Sequence, residues 1–86
     1  MQCMVTFSIS PENIKATLAR FQEGNATPPA GVNLMGRWHA MGTGRGFALF
    51  DVDDPVAFAG FFMGWSDLAN QEVVPVVEDD AIAASL

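Results

Sequence analysis

Only a few side chains among these 86 residues are equipped for chemistry, and they gather near the middle of the chain. His39 is the one histidine, the side chain whose ordinary pKa lies closest to neutrality and hence the natural general acid or base. Two positions earlier stands Arg37, whose planar guanidinium can hold a carboxylate or an enolate. Residues two apart in an extended strand share a face, so Arg37 and His39 fall together while Trp38 points the other way. The chemistry this pair would suit is cofactor-independent oxygenation or isomerisation of a small organic molecule, with His39 as acid–base and Arg37 as anion holder. Against it, His39 has no identified carboxylate, Cys or Ser partner, and a lone histidine at a strand end more often meets solvent than substrate.

The remaining candidates concern binding. Trp38, Arg45, Phe58, Phe62 and Trp65 form the ligand-binding set: Arg45 for an anion, the aromatics for an apolar body. For Phe58, Phe62 and Trp65, ordinary core packing competes with a pocket; Gly60 and Gly64, four residues apart, favour either close backbone packing or space for a ligand. All four cations lie within residues 1–45, against two acids there, whereas residues 46–86 carry eight acids and no cation. Pairing of Arg37 or Arg45 with Asp51, Glu72 or the Glu78-Asp79-Asp80 tail therefore competes with ligand binding, within a chain or across a dimer. A cross-strand Arg37–Asp51 contact requires a hairpin register that puts both on one face.

Several chemistries are excluded. Cys3 is the only cysteine and His39 the only histidine, so neither a disulfide nor a cysteine–histidine zinc site can be built. Asp51-Val52-Asp53-Asp54 lacks the spacing and closing Glu of a calcium loop, and no metal or cofactor is expected. Gly42-Thr43-Gly44-Arg45-Gly46 does not follow a strand and open a helix, so it is a hairpin loop and not a phosphate cradle. A formal charge of −6 argues against nucleic acid, which needs a basic stripe. The opening MQCMVTFSI has no basic region or cleavage site, and no apolar run nears the ~20 residues of a membrane span. A single unpaired cysteine suits a reducing compartment, so the expected location is cytoplasmic.

The elements that must position these residues follow from periodicity. Met1 to Ile9 alternates as a strand, with Cys3, Val5, Phe7 and Ile9 on one face. Ser10-Pro11-Glu12 opens a helix to about Glu23, with Ser10 as N-cap, Gly24 ending it, and Ile14, Leu18 and Phe21 as its apolar face. Gly24 to Gly31 is a loop. In Val32 to His39, Val32, Leu34 and Trp38 alternate with Asn33, Met35, Arg37 and His39. A glycine-rich hairpin leads to Phe47–Val52. Asp53-Asp54-Pro55 starts a second helix carrying Phe58, Phe61, Phe62, Trp65 and Leu68 as a stripe. Gln71 to Val77 is a fourth strand, with Pro75 indicating an edge or a bulge position. Residues 78–86 form an acidic tail that ends in a short helical turn or arm. The order β-α-β-β-α-β predicts one domain over 1–86: a ferredoxin-like α+β sandwich with two helices on one face of a four-stranded antiparallel sheet.

That sheet carries too much apolar surface for one covered face. Phe47 and Leu49 oppose Ala48, Phe50 and Val52, and Val74 and Val76 oppose Val73, Pro75 and Val77. A sheet with one wet face should alternate instead. Two-fold pairing of two copies through the open face is the simplest cover, with the tail folded over its own sheet as the competing one. The resulting expectation is a non-enzymatic homodimer, a small ligand-binding or protein-interaction module whose ligand is a small apolar or anionic molecule. An adaptor docking through its acidic half would instead cluster its carboxylates.

Met4-Val5-Thr6, Gly36-Arg37-Trp38-His39, Gly46-Phe47-Ala48-Leu49, Trp65 and Pro75-Val76, in that order, resemble a family of short bacterial domains, the domain-of-unknown-function family 3303. The likeness covers nearly the full length. Through it the chain is similar in fold to the dimeric α/β-barrel superfamily, which pairs two ferredoxin-like sheets face to face. That superfamily includes cofactor-independent monooxygenases, muconolactone isomerase-like proteins, haem-degrading enzymes and stress-response dimers. The resemblance implies the fold and the dimer and supplies no catalytic residues.

Overall fold

The computed structural model describes residues 1–24 and 26–86. The chain runs β1 (Gln2–Ile9), a 3-10 turn (Pro11–Asn13), α1 (Ile14–Gln22), β2 (Val32–His39), β3 (Arg45–Val52), α2 (Pro55–Met63), β4 (Ala69–Val76) and α3 (Asp79–Ser85). Asn25, within the expected loop, lies outside the described residues. The strands form one sheet in the order β2-β3-β1-β4 with every neighbouring pair antiparallel. Each of α1 and α2 thus joins two strands that flank a third, which is the ferredoxin-like arrangement. Two strands start earlier than periodicity suggested, at Arg45 and Ala69, because Ser8 and Ile9 of β1 extend the pairing to them. α3, a third helix, occupies the tail.

The two helix starts differ. Asp54 caps α2 with its carboxylate, accepting from the N–H groups of Val56 and Ala57, both at 3.1 Å. Ser10 makes no such side-chain bond; the chain closes a 3-10 turn on the Ser10 carbonyl, which accepts from Asn13 N–H at 2.9 Å. α1 stops at Gly24, whose φ of +83° favours glycine and whose N–H donates to the Phe21 carbonyl.

The helix-facing side of the sheet is the core. Cys3 and Val5 of β1 stand opposite Phe50 and Ala48 of β3, and Val32 opposite Val52; all six are buried. Phe50 is the hub, its ring meeting Phe58 at 5.4 Å, Phe62 at 5.6 Å and Phe61 at 6.2 Å, each edge to face. α1 packs differently from its expected stripe: Thr17 is the buried position, and Leu18 is 57% exposed. Thr17 tolerates burial because its hydroxyl donates to the Asn13 carbonyl at 2.8 Å. Gly60 does not permit close packing either, since a Cβ built there meets nothing within 4 Å.

The other side of the sheet has no cover from the described chain. Register places Gly36, Leu49, Met4 and Val74 in one row across all four strands, flanked on one side by the row Trp38, Phe47, Thr6 and Glu72 and on the other by Val76 beside Gln2. Trp38 is 56% exposed and Val74 54%. The indole of Trp38 lies over Gly36, where a Cβ would come within 2.6 Å of it. The arm does not fold back over this face: every residue from 77 to 86 is exposed. The shortest dimension of the molecule, 17 Å, is that of one helix layer on one sheet.

Candidate functional site

The side chains with chemistry are placed by one irregularity in β2. Its pairing with β3 runs in step up to Leu34–Phe50 and resumes at Gly36–Leu49, leaving Met35 as an extra residue. A bulge of this kind re-aims every side chain beyond it. Unbroken alternation would put Arg37 and His39 on the face opposite Val32 and Leu34. With the bulge they join Val32 and Leu34 on the helix-facing side, opposite Ala48 and Gly46, and Trp38 goes to the open face. Asp51 stays on the open face opposite Asn33, so the Arg37–Asp51 contact does not form.

Under α1 the helix layer fits loosely and leaves two adjoining recesses, both walled by Phe7, Ile9, Thr17 and Phe21. The inner one is a cavity of about 50 Å³ whose lining is overwhelmingly apolar, with Arg37, Gln71 and Thr17 as its polar exceptions. Arg37 is half-buried, its guanidinium carbon 5.0 Å from the centre of the Phe21 ring. Among the described residues no carboxylate reaches it and no oxygen accepts from it. Burial lowers its pKa from the ordinary arginine value, with no opposing contribution from an acid. A neighbouring cation shows the contrast: Arg20 holds Asp67 through two 2.9 Å contacts and donates to the Gly64 carbonyl at 3.0 Å.

His39 does not line the inner cavity. It is exposed at the end of β2, its ring edge-on to Phe7 at 5.8 Å, on an open groove of about 270 Å³ that it shares with Arg45 and Leu18. Arg45 also lies 5.8 Å from the Phe47 ring. Phe62 and Trp65 line the inner cavity, whereas Phe58 packs in the core beside Phe50. The structure therefore brings Arg37, Phe62 and Trp65 to one cavity, sets His39 on the groove beside it, places Arg45 at the edge of that groove with its guanidinium over Phe47 of the open face, and separates Trp38 and Phe58 from both. Three contributors escaped the sequence reading of the site. Gln71 had a usable signal, a polar residue on the inward parity of β4. Thr17 and Phe21 had none beyond helical position.

Among the described residues no three His, Cys, Asp or Glu side chains gather as metal ligands, and no helix is long and apolar enough to cross a membrane. The fold and the cleft together define a small α+β domain with one open sheet face and a cation at the wall of an apolar cavity. The chain belongs to the family described as "Domain of unknown function (DUF3303)", which matches residues 1–86. No curated protein matches it.

Proposed function

We propose that this domain is a homodimeric binding module, paired through the open sheet face, and not a catalyst. The observation that carries the reading is the uncovered row Gly36–Leu49–Met4–Val74 with Trp38 and Phe47 beside it. An apolar surface spread over all four strands is of the kind that marks an association site, and a second copy offers a self-complementary cover. Small size adds to this, since a chain this short buries a modest share of its surface alone. Polar residues surround the apolar part of the face, Asn33, Asp51 and Gln2 at one end, Arg45, Ser8 and Asn70 at the other, and Glu72 on the β4 edge, and supply the rim such an interface needs. Light scattering on a sizing column tests it: the mass at micromolar concentration should be twice 9.2 kDa, and a single-chain mass refutes the pairing.

A second reading, a cofactor-independent oxygenase or isomerase, draws support from Arg37 and His39 sharing the inward face. It requires one organic molecule spanning the inner cavity and the groove. Native mass spectrometry of protein purified from its own host, followed by H39Q, tests it: turnover of the retained molecule should fall in the variant.

A further inference from the structure

We infer that the cavity under α1 is a binding site for a small monocarboxylate with a compact apolar tail, seated with its carboxylate on Arg37. The starting point is a mismatch of environment and charge. A guanidinium carries five N–H donors and no acceptor, and on a half-buried strand position it ordinarily finds a carboxylate. Arg37 has none among the described residues, although the chain carries 10 acids against 4 basic groups. Its position is held from below by the β2 bulge and from the side by the face of Phe21. The fork is therefore pre-positioned for an anion that the described residues do not provide.

The lining decides what the anion is attached to. Val5, Ala48, Phe62 and Trp65 give the cavity an apolar floor, and Arg37 and Gln71 supply donors at its wall. A polyanion, a sugar or a phosphate would bring polar groups that this floor cannot satisfy, at the cost of leaving them unpaired. A single carboxylate accepts two parallel bonds from a guanidinium while its hydrocarbon end enters the apolar space. Size limits the tail. The cavity of about 50 Å³ is smaller than the ~150 Å³ space that takes up a benzene ring in an engineered core. On that scale it encloses about two carbons, so it takes the end of a short flexible chain and leaves no room for an aromatic ring.

The inference rests on the binding-module reading only for its general character and holds whether or not two copies pair. The experiment is a titration of the full chain with isovalerate, against isovaleramide as the uncharged isostere and inorganic phosphate as an anion without a tail. Binding is followed by the Arg37 Nε–H and the Ile9 and Val5 methyl resonances, with the oligomer mass measured in parallel. Isovalerate should shift all three at about millimolar concentration, as expected for a ligand of this size. Isovaleramide and phosphate should bind about tenfold more weakly or worse, and R37Q should lose isovalerate to the same degree. R37K, which keeps the charge and loses the fork, should fall between. Equal affinity of R37Q, equal affinity of the amide, or methyl shifts confined to the open sheet face would each overturn the site. A single-chain mass with isovalerate still bound would overturn the dimer and leave the site standing.

Discussion

The two halves of the helix layer are packed to different standards. Under α2, Phe50 is enclosed by Phe58, Phe61 and Phe62, and Phe58 and Phe62 meet at 4.7 Å with nearly perpendicular rings. Under α1, the buried helix residue is a threonine, Leu18 faces out, and a half-buried arginine borders a cavity. The interlocked rings carry the stability, and the space for a guest opens only where Phe50, Phe61 and Phe62 turn their other side toward α1 and Arg37. The cavity therefore lies at the seam of the two halves, with a well-packed aromatic wall on one side and the looser α1 on the other.

The comparison can be broken most sharply at the hub. Phe50→Ala removes the ring on which three others converge and should cost about 3–5 kcal/mol, a large part of the stability of a domain this small. Urea unfolding followed by circular dichroism reads the loss; Leu18→Ala under the same conditions should shift the midpoint little, its side chain being mostly in water. On the open face, Val74→Asp puts a charge into the apolar row. It should convert a two-chain mass to a one-chain mass at micromolar concentration while the circular dichroism spectrum of the fold persists.

Asp54→Ala leaves the Val56 and Ala57 donors without their cap. It should cost about 1 kcal/mol, or about 4–8 °C in Tm. Ser10→Ala, whose hydroxyl caps nothing, should change Tm much less. Arg37→Leu removes a half-buried cation with no acid beside it, so its Tm should equal or exceed that of the natural sequence, unlike the loss expected on removing one member of a buried pair.

The smallest effect concerns Asp67, held below the usual carboxylate range by its bonds to Arg20. A depressed folded-state pKa contributes stability that is fully present above the ordinary, unfolded value. It is lost as pH falls through the lower folded value. Asp67→Asn should therefore lower Tm slightly at neutral pH, and the difference should fade on acidification below the carboxylate range. A difference that persists at low pH would mean the pair acts by packing and not by charge.

Much of the architecture was legible because it is local. Alternation in Cys3–Ile9 and the Asp53-Asp54-Pro55 start depend on neighbours a few residues away, and both stand in the structure. The site was less legible. Alternation puts Arg37 and His39 on one face, as the structure has them, but opposite Val32 and Leu34, because it does not foresee the extra residue at Met35 that reverses the parity of all that follows. No residue type in Leu34-Met35-Gly36 marks that insertion unambiguously. The apolar stripe of α1 failed at Leu18 because the face a helix turns inward depends on how it docks, and Thr17 could meet its own hydrogen-bonding need within the helix.

The sequence by itself determined the order of elements, the inward residues of β1, the aromatic identity of α2, and strands β3 and β4 that are apolar on both faces. Those are consequences of short-range periodicity and of hydrophobic content, which need no partner to be counted. Tertiary structure alone decided which face receives Arg37, that no acid among the described residues reaches it, and that a cavity is left there. Register and helix docking are set by the pairing of segments far apart in the chain, and a shift of one residue in that pairing exchanges solvent for core.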